Sequence, residues 1–284
     1  MTKKVSLFLL ILIAVFQAGR AQSHEPAQAL FNKTMDAMKQ VRTCSFVLDI
    51  QERIRGVVRF DQFVVKLNAN PYKVYVYSVH PNPGAEALLI RGMNDEKALV
   101  NPNRWLIPTL NLSPFGAILR KNHQYTLWHF GFGFIHEVLE GYAVKYGDTF
   151  FDLLSVAGEV TWKGKSYYQL VIENNGFDFV SYTVQPGENL VRIGEKLLVN
   201  DYMILEANRG LRNFDDVKPG QEIKVPNSFG KKIVLYIDKV TFLPVVQIVY
   251  DHKKLYGRVE LSSLIVNPVF SEEDFSKDNE AYGF

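Results

Sequence analysis

Along residues 26–41 the apolar side chains Leu30, Phe31, Met35, Met38 and Val41 recur mostly three and four positions apart, with Asn32, Lys33, Asp36 and Lys39 between them. That spacing predicts an amphipathic helix whose single apolar stripe needs a sheet to cover. The pattern then changes to short runs rich in Val, Tyr and Phe, divided by Gly, Asn and Pro: residues 45–54, 57–68, 72–79, and a hairpin over 87–100 turning at Gly92-Met93-Asn94-Asp95. These read as strands. Two more helical tracts are expected, over about 132–146 and 150–156, with Gly147 and Gly158 as stops. Strands resume at 159–162 and 166–173, and again, after a polar interruption, at 232–238, 243–250 and 256–266.

The final 59 residues, 226–284, hold three strands and no helix, too little for an independent domain, so they are expected to complete the first sheet. The predicted fold class is α+β. A curved antiparallel β half-barrel, with helices on its concave face, is built from residues 22–181 and 226–284 and split by a small inserted βααβ unit at 182–225. Such an insertion costs little when the guest's two ends lie side by side.

The interruption reads YTVQPGENLVRIGEKLLVNDYMILEANRGLRNFDDVKPGQEIKV. Tyr182 and Val184 alternate with Thr183 and Gln185, Pro186-Gly187 makes a turn, and Asn189 stands where an N-cap accepts an amide hydrogen bond. Asp201 repeats that capping logic before 202–207, and Asn208-Arg209-Gly210 predicts a left-handed C-cap. Pro219-Gly220 then turns the chain into a last strand. Several spaced matches, from Tyr182-Thr183-Val184 through Ile193, Tyr202, Ile204, Leu205 and Asn208 to Pro219-Gly220-Gln221-Glu222-Ile223, make the segment resemble the LysM family. Two positions depart from the family's usual wording: Glu188-Asn189 replaces the commoner Asp-Thr or Asp-Ser, and Gly194 stands where alanine is usual.

The resemblance implies a carbohydrate-binding module for polymers containing N-acetylglucosamine, in bacteria mainly peptidoglycan. Its groove would lie between Gly187, Glu188, Asn189 and Leu190 on one wall and Ile204, Asn208, Gly210 and Leu211 on the other. Backbone groups there would bind the acetamido amide while apolar side chains take its methyl. The alternative is a module serving only as a packing spacer.

The flanking sequence looks like the periplasmic lipoprotein-localisation superfamily. The N-terminal helix followed by long strands carries that likeness, as do Lys73-Val74-Tyr75 after Asn70-Pro71, Gly84-Ala85-Glu86-Ala87-Leu88-Leu89, and the ending Leu264-Ile265-Val266-Asn267-Pro268-Val269-Phe270. It implies an incomplete barrel whose concave face holds an acyl chain, a lipoprotein or another hydrophobic partner; the competing reading is a closed core. The aromatic stretch 122–134 is read the same two ways, as packing or as a lid or sugar-stacking surface.

Composition narrows the remaining choices. The chain has 284 residues, 47% hydrophobic and 22% charged, which is globular. Lys3 and Lys4 precede an apolar run over 5–16, and Ala18-Gly19-Arg20-Ala21 offers small residues for cleavage after Ala21. Residues 1–21 are therefore expected to be a secretory signal peptide, since twelve residues rise about 18 Å against roughly 30 Å of hydrocarbon. The mature form is then expected to be periplasmic, without a transmembrane segment. Removing Lys3, Lys4 and Arg20 leaves 29 Lys and Arg against 30 Asp and Glu, so nothing favours nucleic acid as a partner.

Cys44 is the sole cysteine and is expected to be a buried small hydrophobe. It opens a strand instead of a helix N-terminus, where a nucleophilic thiolate would be favoured. His123, His129 and His136 are six and seven apart, and His136-Glu137 is only half of a His-Glu-x-x-His motif. Glu137 and Glu140 lie three apart on an expected helix and could serve as acid and base, but such a pair usually forms a solvated face. No metal, cofactor or catalytic residue is therefore expected. The sequence predicts a non-enzymatic envelope protein binding peptidoglycan and a lipid, lipoprotein or hydrophobic partner. The alternatives are a peptidoglycan hydrolase with an unrecognised site and a scaffold that binds neither.

Overall fold

A computed structural model describes residues 25–284; the expected signal segment 1–21 lies outside the described residues. Helix α1 (Glu25–Lys39) buries Ala27, Leu30, Phe31, Thr34, Met35 and Met38, the stripe set by a 3.6-residue period. Phe31 meets Phe150 edge-on at 5.0 Å.

Thirteen strands follow. They are β1 (Thr43–Ile54), β2 (Val57–Ala69), β3 (Tyr72–His80), β4 (Glu86–Ile90), β5 (Ala98–Asn101), β6 (Leu110–Leu112), β7 (Leu154–Trp162), β8 (Lys165–Glu173), β9 (Phe179–Thr183), β10 (Glu222–Pro226), β11 (Lys232–Asp238), β12 (Pro244–Tyr250) and β13 (Leu255–Val266). Between them lie α2 (Ala117–Arg120), α3 (Gly133–Tyr146), α4 (Leu190–Leu197) and α5 (Asp201–Ala207). Eleven strands form one open antiparallel sheet in the order β6-β5-β4-β3-β2-β1-β13-β12-β11-β8-β7, and β9 and β10 form a second, small sheet. This is the α+β arrangement that the patterning predicts.

Strands from before and after the interruption are direct neighbours: β1 runs beside β13, and β8 beside β11. Asn267 locks the first junction, accepting from Arg42 N at 2.8 Å and donating to Gln40 O at 3.1 Å. In β1 the side chains of Cys44, Phe46, Leu48 and Ile50 alternate inward, and burial pushes the Cys44 thiol up to about 12. The outer face of β3–β5 is covered by the chain's own C-terminal segment, where Tyr282 stacks on Tyr75 at 3.7 Å.

The tract over 150–156 differs from expectation. A 3₁₀ helix spans Gly147–Leu153 and β7 starts at Leu154, so Val156 is a strand residue. Gly158 does not stop a helix; at φ +88° it sits in a bulge where the β7–β8 register shifts between Val156 and Glu159.

Candidate functional site

The small sheet brings the two ends of the polar module together, with Tyr182 opposite Ile223 and Phe179 opposite Pro226. Gly187 turns the chain at φ +80°, a conformation that favours glycine. Glu188 folds back under that turn: its carboxylate accepts from Lys196 Nζ at 2.8 Å, Gln185 N at 2.9 Å and Tyr182 Oη at 2.8 Å. The Lys196 bond first, and then the Gln185 amide, hold the Glu188 carboxyl down to about 2. Asn189 caps α4 as expected, accepting from Arg192 N at 3.0 Å, and donates to Asp215 at 2.7 Å.

The second helix is capped differently from the sequence expectation. Asn200 is the N-cap, accepting from Met203 N at 3.2 Å, and Asp201 is the first helical residue. No left-handed C-cap forms over Asn208-Arg209-Gly210; Asn208 closes α5 at φ −113° instead, its backbone N–H donating to Leu205 O and its side-chain amide to Ile204 O. The left-handed cap lies earlier, at Leu198 after α4. Gly194 is glycine for a spatial reason, because a Cβ there would stand 3.0 Å from Val199 O and from Asp201 Cβ.

The eight residues expected to line the groove do not share one status. Leu190 and Ile204 are fully buried and belong to the module's core. Asn208 spends its amide on Ile204 O, Lys224 O and Lys224 N, at 2.7, 2.8 and 2.9 Å, joining helix to strand. Glu188 is occupied beneath the turn. Gly187 and Gly210 are exposed, and Asn189 and Leu211 half-buried. The two walls are tied together, since Leu190 N donates to Phe214 O at 2.8 Å beside the Asn189–Asp215 bond.

The module is docked on the large sheet through polar groups that its pattern did not reveal. Arg120 grips both oxygens of Asp201 at 2.8 and 3.0 Å, donates to Gln124 O and His123 O, and lies 4.1 Å over the Phe214 ring. Arg53, at the end of β1, pairs with Asp251 and reaches Glu206 of α5 at 3.7 Å. Tyr256 Oη donates to Asn200 at 2.9 Å. Module and sheet share one continuous apolar core.

Between them lies a cavity of about 950 Å³, lined by Met38, Leu67 and Phe132 from the sheet and its helices and by Val191, Leu198 and Val199 from the module. The inner face of the sheet farther in is filled by the 125–134 segment. Only about 40 Å³ remains beside Tyr125, Phe130 and Phe134, room for a water and not for a chain of carbons. Tyr72 Oη fastens that segment by donating to Leu127 O at 2.6 Å. His129 stacks on Phe134 at 4.0 Å. Burial, helped by the Arg120 charge, brings its pKa down to about 3.

At the other end of the β1–β2 hairpin's inner face, Glu52, Asp61 and His123 converge with ligand atoms all within 4.8 Å. Ile50 is opposite Asp61 in the ladder, so Glu52, two residues on, sits diagonally beside Asp61 on one face. Burial raises the Asp61 pKa, against the pull of His123. Sequence spacing could not reveal this group, because His123 comes from the loop after α2, far along the chain. Glu137 and Glu140 are exposed, as expected of a solvated face, and Glu140 lies 3.7 Å from Lys39 and 4.0 Å from His136.

Residues 182–226 match the LysM domain family. That segment is a LysM domain. Residues 41–176 match the family described as "Protein of unknown function (DUF1571)". Among solved structures the chain is similar to MucB (TM-score 0.41, 10% identity, covering 90% of this chain and 64% of MucB). It is also similar to lipoprotein LppX of Mycobacterium tuberculosis (TM-score 0.40, 11% identity, 87% and 98% covered) and to a LolA superfamily protein of Nitrosomonas europaea (TM-score 0.35, 10% identity, 89% and 98% covered). The chain thus spans about 64% of MucB's length. No curated protein matches it. No helix among the described residues is long and apolar enough to cross a membrane.

Proposed function

We propose that this is a non-enzymatic periplasmic protein of the cell envelope, in which the LysM domain is a guest within a half-barrel formed by residues 22–181 and 226–284. The LysM domain binds N-acetylglucosamine-containing glycan of peptidoglycan. The single observation that carries this reading is the LysM match over 182–226, with its two loop walls held in register by the Asn189–Asp215 and Leu190–Phe214 bonds. The contact surface is narrower than the family wording implies. Gly187, Asn189, Gly210 and Leu211 supply it, while Leu190, Ile204, Glu188 and Asn208 hold its shape.

Retention of the mature chain on purified sacculi tests the proposal. Deleting the whole domain would strand Arg120 without its partner, so the informative variant is Gly210→Arg. A Cβ there meets nothing within 4 Å, and the long side chain would cover the cleft without disturbing the fold. Sacculus retention is expected to fall at least tenfold; unchanged retention would rule this groove out.

The cavity between half-barrel and LysM domain supports the second part of the proposal, a lipid, acyl chain or lipoprotein as the hydrophobic partner. A volume of about 950 Å³ is at the upper end of small-ligand sites, and its lining is mixed: Met38, Leu67, Phe132 and Val191 suit hydrocarbon, while Arg91, Glu137 and Glu195 suit a polar head group. A fluorescent fatty acid should bind the chain at one site, and Val191→Trp, which places an indole in that space, should abolish binding. Equal binding by the variant would show that the probe sits elsewhere.

A further inference from the structure

We propose that Glu52, Asp61 and His123 form a binding site for one divalent transition-metal ion of the Zn²⁺ or Mn²⁺ class. Glu52 Oε2 lies 3.4 Å and Asp61 Oδ2 3.8 Å from His123 Nδ1. Two ligand atoms each about 2.1 Å from an ion, at a tetrahedral angle, stand about 3.4 Å apart. His123 is thus spaced from each carboxylate much as two ligands of a single ion are, and all three ligand atoms lie within 4.8 Å of one another.

A second, independent observation comes from Glu52 itself. The residue is 1% exposed, and its Oε1 accepts from Gln124 N at 2.9 Å. Its Oε2, aimed at His123, has no hydrogen-bond partner. A buried carboxylate oxygen whose one polar neighbour, His123 at 3.4 Å, makes no hydrogen bond to it costs free energy that a bound cation removes. Asp61 is 5% exposed beside it, so two carboxylates in a desolvated corner supply the charge that balances a dication. The His123 side chain keeps 32% of its surface open, which provides access and leaves coordination positions to water.

The donor set selects among ions. Two carboxylates with one imidazole suit Zn²⁺ or Mn²⁺, whereas Ca²⁺ takes six to eight oxygens. The ion joins the β1–β2 hairpin to the loop over 120–124. That loop carries Arg120, the residue gripping Asp201, so the metal fastens the same corner on which the LysM domain is seated. This site is independent of glycan or lipid binding.

The untagged mature chain, stripped with EDTA and desalted, is titrated with ZnCl₂ and separately with MnCl₂ in a calorimeter, and bound metal is counted by mass spectrometry. One ion per chain is expected for at least one of the two metals, with a raised Tm. Glu52→Gln and His123→Ala should each weaken that binding about tenfold or more. His123 is partly exposed, so its variant is expected to fold; if Glu52→Gln does not, Asp61→Asn replaces it. Absence of stoichiometric binding by both metals overturns the proposal, as does undiminished binding by folded His123→Ala.

Discussion

Arg120 and Asp201 form a bidentate ion pair across the boundary between the large sheet and the LysM domain, with side chains only 1% and 8% exposed. The Arg120 Nε and the remaining N–H of its Nη2 donate to the carbonyls of His123 and Gln124, and the Phe214 ring covers the guanidinium face. A buried pair of this kind stabilises little relative to an apolar replacement, yet removing one partner leaves the other charged and desolvated. Arg120→Ala is therefore expected to cost about 3–5 kcal/mol in denaturant unfolding, and Arg120→Met with Asp201→Leu should recover much of it. Because the core is continuous, wild type should unfold in one transition. Two well-separated transitions in the wild type would contradict the docking described above.

The stacked, half-buried His129 makes stability depend on pH with a definite sign. Thr126 N donates to His129 Nδ1 at 3.4 Å, so the ring is neutral and folded His129 binds its proton only near pH 3. The unfolded chain binds it near 6.5. Between those values the unfolded state holds more protons, so this contribution is complete above about 6.5 and is lost as pH falls toward 3. His129→Phe keeps the stack on Phe134 and removes the titration. Measured with chelator present, its stability should fall less steeply between pH 6.5 and 4 than that of wild type; parallel curves would refute the assignment.

Much of the architecture was legible in the sequence because it rests on periodicity. The α1 stripe and the inward alternation of β1 follow from which side chains can share a face. The adjacency of β8 and β11 follows from three strands that cannot stand alone. What the pattern missed has a common physical character. Gly158 has the same identity at a helix stop and at a bulge, and only the pairing of β7 with β8 distinguishes them. Leu190 and Ile204 match the LysM wording equally well as groove or core residues, and burial alone decides. Arg120, Glu206 and Asn200 look like ordinary surface or capping residues, because their partners are contributed by segments distant in the chain. The Glu52, Asp61 and His123 group was hidden for the same reason.

Gly194 offers a test in which propensity and packing oppose each other. Alanine would gain about 1 kcal/mol of helix propensity. Its methyl would also press at 3.0 Å on Val199 O and Asp201 Cβ, in the turn that presents Asp201 to Arg120. Overpacking of this kind typically costs about 1–3 kcal/mol. Gly194→Ala is therefore expected to lower the Tm of the full chain despite its better helix former. A higher Tm would mean that the turn relaxes freely and that the close approach has no consequence for docking.

Glu188 gives the last prediction, since it accounts for the departure of Glu188-Asn189 from the usual wording of the family. Its carboxylate holds the Gln185 amide, the Tyr182 hydroxyl and Lys196 at once, bracing the turn whose exposed Gly187 and half-buried Asn189 would face the proposed glycan. The folded pKa of about 2 lies below the ordinary glutamate value of about 4.3. The bracing is thus complete above about 4.3 and is lost only as pH falls toward 2. In an NMR titration the Glu188 side-chain carbon should shift with a midpoint well below those of the exposed glutamates. Glu188→Gln keeps the shape but gives up the charge on which Lys196 depends. It is expected to weaken sacculus retention severalfold while leaving the bidentate Arg120–Asp201 junction, and hence the single unfolding transition, intact. A normal glutamate midpoint, or retention indifferent to the substitution, would mean that the turn stands without this carboxylate.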